Sequence, residues 1–105
     1  MPTRKQVNFC VDFWVNKLEL NQIPQSNIEA FKRAFHRILT AGDDDACHHF
    51  VSPSPPAIYG ARKHFGLARA LQEAKIRLRG GWVDIVFNES TIDIFENKKW
   101  ERIEP

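Results

Sequence analysis

Lys75-Ile76-Arg77-Leu78-Arg79-Gly80-Gly81-Trp82-Val83-Asp84-Ile85-Val86-Phe87 is the stretch on which the fold turns. Upstream of it, apolar residues recur at helical spacing; within it the spacing drops to two. Lys75 to Arg79 alternates charged and apolar residues, Gly80-Gly81 suits a two-residue hairpin turn, and Trp82 to Phe87 is rich in β-branched and aromatic side chains. A tight turn there sets Arg79 opposite Trp82, Leu78 opposite Val83, Arg77 opposite Asp84 and Ile76 opposite Ile85. A rival reading carries the preceding helix on through Leu78, because Leu67, Leu71, Ala74 and Leu78 also share a helical face. The strand is preferred because Gly-Gly followed by Trp-Val needs a pairing partner.

Working outward, a second turn at Glu89-Ser90 puts Phe87 opposite Ile92 and Ile85 opposite Ile94. A third at Asn97-Lys98 puts Phe95 opposite Trp100, Asp93 opposite Arg102 and Ile92 opposite Ile103. The parity holds through all three turns. One face collects Ile76, Leu78, Val83, Ile85, Phe87, Ile92, Ile94 and Ile103, and only Glu101 interrupts it. A one-residue slip would scramble that face, so the agreement supports the register.

The first part of the chain is helical. Val7, Val11, Trp14 and Leu18 mark a helix over residues 5–19, broken at Asn21 to Gln25. Ser26-Asn27-Ile28-Glu29 reads as a capping box. It opens a helix over 26–41 with Ile28, Phe31, Phe35, Ile38 and Leu39 on one stripe and Gly42 as its C′ residue. Residues 42–56 read as a loop, since Pro53, Pro55 and Pro56 suit neither a helix interior nor a central strand. A third helix is expected over roughly 57–73, with Ile58, Phe65, Ala68 and Leu71 inward, weakened by Gly60 and Gly66.

The expectation is therefore a single α+β domain over residues 1–105. An N-terminal helical hairpin and a third helix pack on one face of a C-terminal, three- to four-stranded antiparallel β-meander. A chain of this size needs neither disulfide nor metal to bury a core. Cys10 and Cys47 form no disulfide framework, which fits a reducing compartment. The first residues look like neither a signal peptide nor a membrane span, so the expected setting is intracellular, in the cytoplasm. Net charge is only +2, but Arg62, Lys63, Arg69, Lys75, Arg77 and Arg79 cluster with Glu73 as their one acid, and an acidic segment follows.

No nucleotide-binding, nucleophile-elbow or zinc-protease motif is present. Cys47-His48-His49, after Asp43, Asp44 and Asp45, has metal-ligand residue types. Adjacent histidines rarely chelate one ion, however, and no second cluster has zinc spacing, so no metal site and no cofactor are expected. His36 reads as a boundary residue and His64 as solvated. A hydrolase or nuclease built from His48, His49, His64 and Arg62 lacks the spacing that general acid–base chemistry needs, and the chain reads as non-enzymatic.

The opposite sheet face is the most informative surface: Arg77, Arg79, Trp82, Phe95, Trp100 and Arg102, with Asp84 and Asp93. Ion pairs Arg77–Asp84 and Asp93–Arg102 and the ring pair Phe95–Trp100 would account for it without a ligand. Trp and Arg grouped on one surface are also what protein interfaces use as anchors. The first choice is an adaptor or regulatory domain that binds a protein through Trp82, Phe95, Trp100, Arg77, Arg79 and Arg102. A homodimer through the aromatic face is a variant of it. The alternative is RNA or single-stranded DNA binding by Arg62, Lys63, Arg69, Arg77 and Arg79, with stacking on exposed rings.

Short pieces of the chain resemble a known family. They are the helical hairpin 5–41, His48-His49-Phe50 followed by prolines and Tyr59, Phe65-Gly66-Leu67, and Trp82-Val83-Asp84. In this order they are similar to the BTG/Tob antiproliferative domain. The chain departs from that family in its shorter stretch between His49 and Phe65 and in Ile85, where the family has proline. The resemblance implies a non-enzymatic α+β adaptor. It also implies a partner, the Caf-type catalytic subunit of a deadenylase complex, contacted in part through Trp82.

Overall fold

Thr3 opens the first helix. Its hydroxyl accepts from the Gln6 amide at 3.1 Å, while the Gln6 side chain accepts from the Thr3 amide at 2.9 Å. This reciprocal capping box satisfies two amides that the first turn leaves unpaired. The computed structural model describes residues 3–41, 48–51, 66–77 and 83–105, and in it this helix, α1, spans Arg4–Leu20. Val7, Cys10, Val11, Trp14 and Leu18 are buried along the stripe the sequence marks, and Asn8 and Asp12 are exposed. The Ile23 amide donates to the Leu18 carbonyl and the Gln22 amide to the Glu19 carbonyl, with Gln22 at φ 60°. That is a Schellman ending on a non-glycine residue.

The second helix, α2, spans Gln25–Thr40 and buries Ile28, Phe31, Ala34, Phe35, Ile38 and Leu39. Its start corrects the expected capping box. Pro24 is the N-cap, with no side-chain cap, and its carbonyl accepts from the Asn27 and Ile28 amides. Ser26 therefore lies inside the first turn, and Glu29 instead accepts from the Gln25 side chain. A proline with fixed φ places the N-cap two residues earlier than the Ser–Glu pattern suggests. Gly42 lies outside the described residues.

The third helix, α3, spans Gly66–Glu73 and buries Leu67 and Ala70, with Ala74 just past its end; residues 57–65 lie outside the described residues. It ends where the sequence offered two other outcomes. The Lys75 amide donates to the Gln72 carbonyl and the Ile76 amide to the Leu71 carbonyl, with Lys75 at φ 58°. This is a second Schellman ending. It excludes both a helix running through Leu78 and a strand starting at Lys75. Ile76 is buried, as expected, but as the apolar residue that closes a helix end.

One antiparallel sheet has the order β1-β2-β3-β4, with β1 at His48–Val51, β2 at Val83–Phe87, β3 at Ile92–Glu96 and β4 at Lys99–Ile103. The position expected for residues 75–79 is filled by β1. Val83 pairs with Val51, Asp84 with Phe50 and Ile85 with His49, so Ile76–Ile85 and Arg77–Asp84 are not pairs. Residues 48–51, expected in a loop, are a short strand, and residues 42–47 and 52–56 of that expected loop lie outside the described residues. The other two pairings have the register set by the turns: Ile85 with Ile94 and Phe87 with Ile92, then Phe95 with Trp100 and Asp93 with Arg102.

The β2–β3 turn closes through the Asn88 amide on the Thr91 carbonyl at 2.9 Å. In the β3–β4 turn both residues are left-handed, Asn97 at φ 56° and Lys98 at φ 66°. Two such residues form a type I′ turn, whose second position favours glycine. Lys98→Gly relieves a left-handed penalty of about 1–2 kcal/mol and adds about 0.4–1 kcal/mol of unfolded-chain entropy. It should stabilise the protein by about 0.5–1 kcal/mol in urea denaturation.

Val83, Ile85, Ile92 and Ile94 are buried in one cluster with the helices, and Phe87 and Ile103 pack against it half-buried. The first helix runs along β3. At one end the Gln6 amide group donates to the carbonyls of Asn88 and Thr91; at the other Lys17 pairs with Glu96. α2 is tied to α3 by Arg37–Glu73 at 2.5 Å and by the Asn27 side chain donating to the Ala74 carbonyl at 2.9 Å. The helices cover one face of the β2–β4 region, and the other face is where the candidate site lies.

Candidate functional site

Strand alternation sends Ile92, Ile94 and Glu96 toward α1, and Asp93 and Phe95 to the opposite face. The I′ turn then fixes what lies across from them: Arg102 beside Asp93 and Trp100 beside Phe95. Arg102 donates from Nε to Asp93 Oδ1 at 2.8 Å and from Nη2 to Oδ2 at 3.1 Å, a two-point fork. That fork, and secondarily the Asn88 amide, hold the Asp93 carboxyl below the ordinary carboxylate range, and Asp93 in turn raises Arg102. Because the Asp93 pKa is depressed in the folded state, its contribution is present at neutral pH. It is lost only as pH falls through the folded value.

Next to the fork, the Phe95 and Trp100 rings lie 5.2 Å apart at 51°. Phe95 is half-buried, but Trp100 remains 56% exposed. Only Leu20 is another large apolar side chain so exposed among the described residues. The patch thus combines an indole with one open side, a ring that supports it, and a guanidinium whose charge is offset by its own carboxylate. Its chemistry is apolar and aromatic contact with a few oriented donors.

The remaining predicted residues are distributed differently. Trp82 and Arg79 lie outside the described residues, as do Arg62, Lys63, His64 and Cys47. Arg77 is exposed beyond the end of α3 and is not part of the outer ladder, because the strand meant to carry it does not form. Arg69 is exposed on α3. His48 and His49 belong to β1, and no group of three metal-capable side chains occurs among the described residues. His36 is exposed, 3.4 Å from the Thr40 hydroxyl. It borders a groove of about 560 Å³ between α1 and α2, with Asp12, Glu29, Lys32, Arg33 and Arg37. Opposite charges alternate around that groove, and Lys32 and Arg37 already pair with Glu29 and Glu73.

Sequence reasoning missed Gln6, which is fully buried and joins the start of α1 to the β2–β3 turn. The Thr3-x-x-Gln6 spacing signals the cap, but nothing in the sequence signals the turn some eighty residues away. A second groove, of about 200 Å³, opens between Phe9 and Phe13 on α1 and the β4 edge, with Lys99, Glu101 and Ile103 on its strand side. No helix among the described residues is long and apolar enough to cross a membrane. No protein-family model, curated protein or solved structure matches the chain.

Proposed function

We propose that the chain is a non-enzymatic adaptor that docks a partner protein on the outer face of its C-terminal antiparallel meander. Phe95 and Trp100 are the anchors and Arg102 with Asp93 is the polar rim. Trp82, immediately before β2 in sequence, is the third aromatic of the same reading. The observation that carries it is the exposed Trp100 indole resting on Phe95. Such a ring is costly to leave in water, and Trp is among the residue types enriched as interface anchors. The resemblance to BTG/Tob domains, an adaptor family, supports the same reading, and with it a deadenylase subunit as one candidate partner.

The electrostatics of the face favour a protein over a nucleic acid. Arg102 is matched on that face by Asp93. Phosphate binding needs unmatched cations.

Trp100→Ala should weaken capture of the partner by about 2 kcal/mol, roughly 30-fold, while the helical circular-dichroism signal stays unchanged. Affinity purification with quantitative mass spectrometry, wild type against variant, reads this directly, and equal recovery of every bound protein would refute it. A gel-shift series with single- and double-stranded oligonucleotides tests the alternative. Retention at about 50 mM salt with a steep loss at higher salt would transfer the site to Arg62, Lys63, Arg69, Arg77 and Arg79.

A further inference from the structure

The strand β4 is the last in the sheet order, and no described strand lies beyond it. The two-residue turn makes Glu96 and Lys99 the first pair across β3–β4. By alternation the amide and carbonyl of Trp100 and Arg102 then face away from β3. The strand carries no proline to blunt this edge.

We infer that this edge pairs with the same edge of a second copy, antiparallel and centred on Trp100, joining two sheets into one. The charge pattern of the strand selects the register. A two-fold axis through Lys98, Lys99, Glu101 or Arg102 would set that residue against its own charge. An axis between two residues would set the outer face of one copy against the inner face of the other. An axis at Ile103 would set Arg102 against the second copy's Glu104, but Glu104 lies past the end of the strand and Arg102 is already matched by Asp93. Centred on Trp100, the one uncharged residue in the middle of the strand, each Lys99 meets the second copy's Glu101. The pair forms twice, at positions whose side chains approach most closely. Lys98 falls opposite Arg102, but it sits in the turn, and Arg102 is already matched by Asp93.

This register explains Glu101. A lone carboxylate on the helix-facing side of an edge strand ordinarily repels foreign strands. Here it also selects a copy that presents Lys99. The helices leave room for the joint. Each α1 lies over β3, so the two copies of α1 stand three strand spacings apart, about 14 Å. Helices in contact need only about 8–10 Å, and the groove beside Phe9 and Phe13 accommodates the pairs. The outer face stays open, with two Phe95–Trp100 pairs in one row, and the inference does not depend on the docking reading.

Sedimentation over a wide concentration range tests it. Wild type should show a monomer–dimer equilibrium that weakens with salt. Lys99→Glu and Glu101→Lys should each weaken association by about tenfold or more, because two attractive pairs become two repulsive ones. Mixing the two variants restores both pairs and should give a heterodimer of wild-type strength. The double exchange in one chain should also recover dimers. Circular dichroism confirms folding of each variant, and the mixture requires no new fold. A wild type monomeric at every concentration, or single variants that dimerise normally, or a mixture that stays monomeric, would overturn the inference.

Discussion

Gln6→Leu is expected to cost about 3–5 kcal/mol of stability and to lower Tm by roughly 15 °C or more. The side chain is fully buried and uses both ends. Its carbonyl accepts from the Thr3 amide at 2.9 Å, and its amide group donates to Asn88 at 2.7 Å and Thr91 at 2.9 Å. Leucine fills most of the volume but removes all three bonds, although the Thr91 carbonyl still accepts from the Asn88 amide. Each lost partner of a buried group costs about 1–3 kcal/mol, and the added hydrophobicity returns only part. The total approaches half the stability of an ordinary small domain.

Gln6→Glu sharpens the test because it keeps the shape. A carboxylate there faces two carbonyl oxygens, so folding favours its protonated form and its folded pKa lies above the unfolded value. The variant's stability is therefore greatest below the unfolded pKa and is lost as pH rises through the folded one. Urea melts at acid and neutral pH should show Gln6→Glu losing stability toward neutral pH, relative to wild type. A Gln6→Leu change within 1 kcal/mol of wild type would mean the bridge from α1 to the β2–β3 turn is not made.

Trp14→Ala should cost about 3–5 kcal/mol, whereas Trp14→Phe should cost far less, about 1 kcal/mol. Trp14 is wholly buried, edge-on to Phe13 with ring centroids 5.3 Å apart at 85°. Its indole N–H is buried among the described residues without an acceptor. Alanine loses the packed ring and leaves a cavity. Phenylalanine keeps most of the packing and removes the unpaired donor, so the two effects oppose. Denaturation of the three proteins should rank them wild type, Phe, Ala, with the large step before Ala. A Phe variant as damaged as the Ala variant would show that the indole nitrogen is satisfied after all.

Local signals carried much of the fold. The stripes through Val7, Val11, Trp14 and Leu18, and through Ile28, Phe31, Phe35 and Ile38, specify two helices because each apolar position is a turn from the next. The partners of Phe95 and Asp93 follow from turn length alone, which is why the two contacts at the candidate site could be named in advance. The segment 75–79 misled for a physical reason. Alternation of charged and apolar residues also describes a helix ending in which Ile76 folds back on Leu71. The true neighbour of β2 is β1, thirty-odd residues upstream, and pairing at that distance leaves no local trace. The prolines after Val51 suggested a loop over 42–56, and the part of it at residues 48–51 is a strand instead. The Glu29 side chain suggested a cap that Pro24 had pre-empted. Gln6 was unreadable for the same reason as β1: its partners are set by the fold, not by its neighbours in sequence.

The most direct check of the docking surface is nitrogen-15 NMR of the labelled protein, free and with its captured partner. The surface proposed here predicts perturbation of the Trp100 indole N–H, of the Arg102 Nε–H and of the Asp93, Phe95 and Trp100 amides, with the exposed side of α2 unchanged. Perturbation confined to Lys32, Arg33 and His36 on α2, with the Trp100 indole signal unmoved, would contradict it.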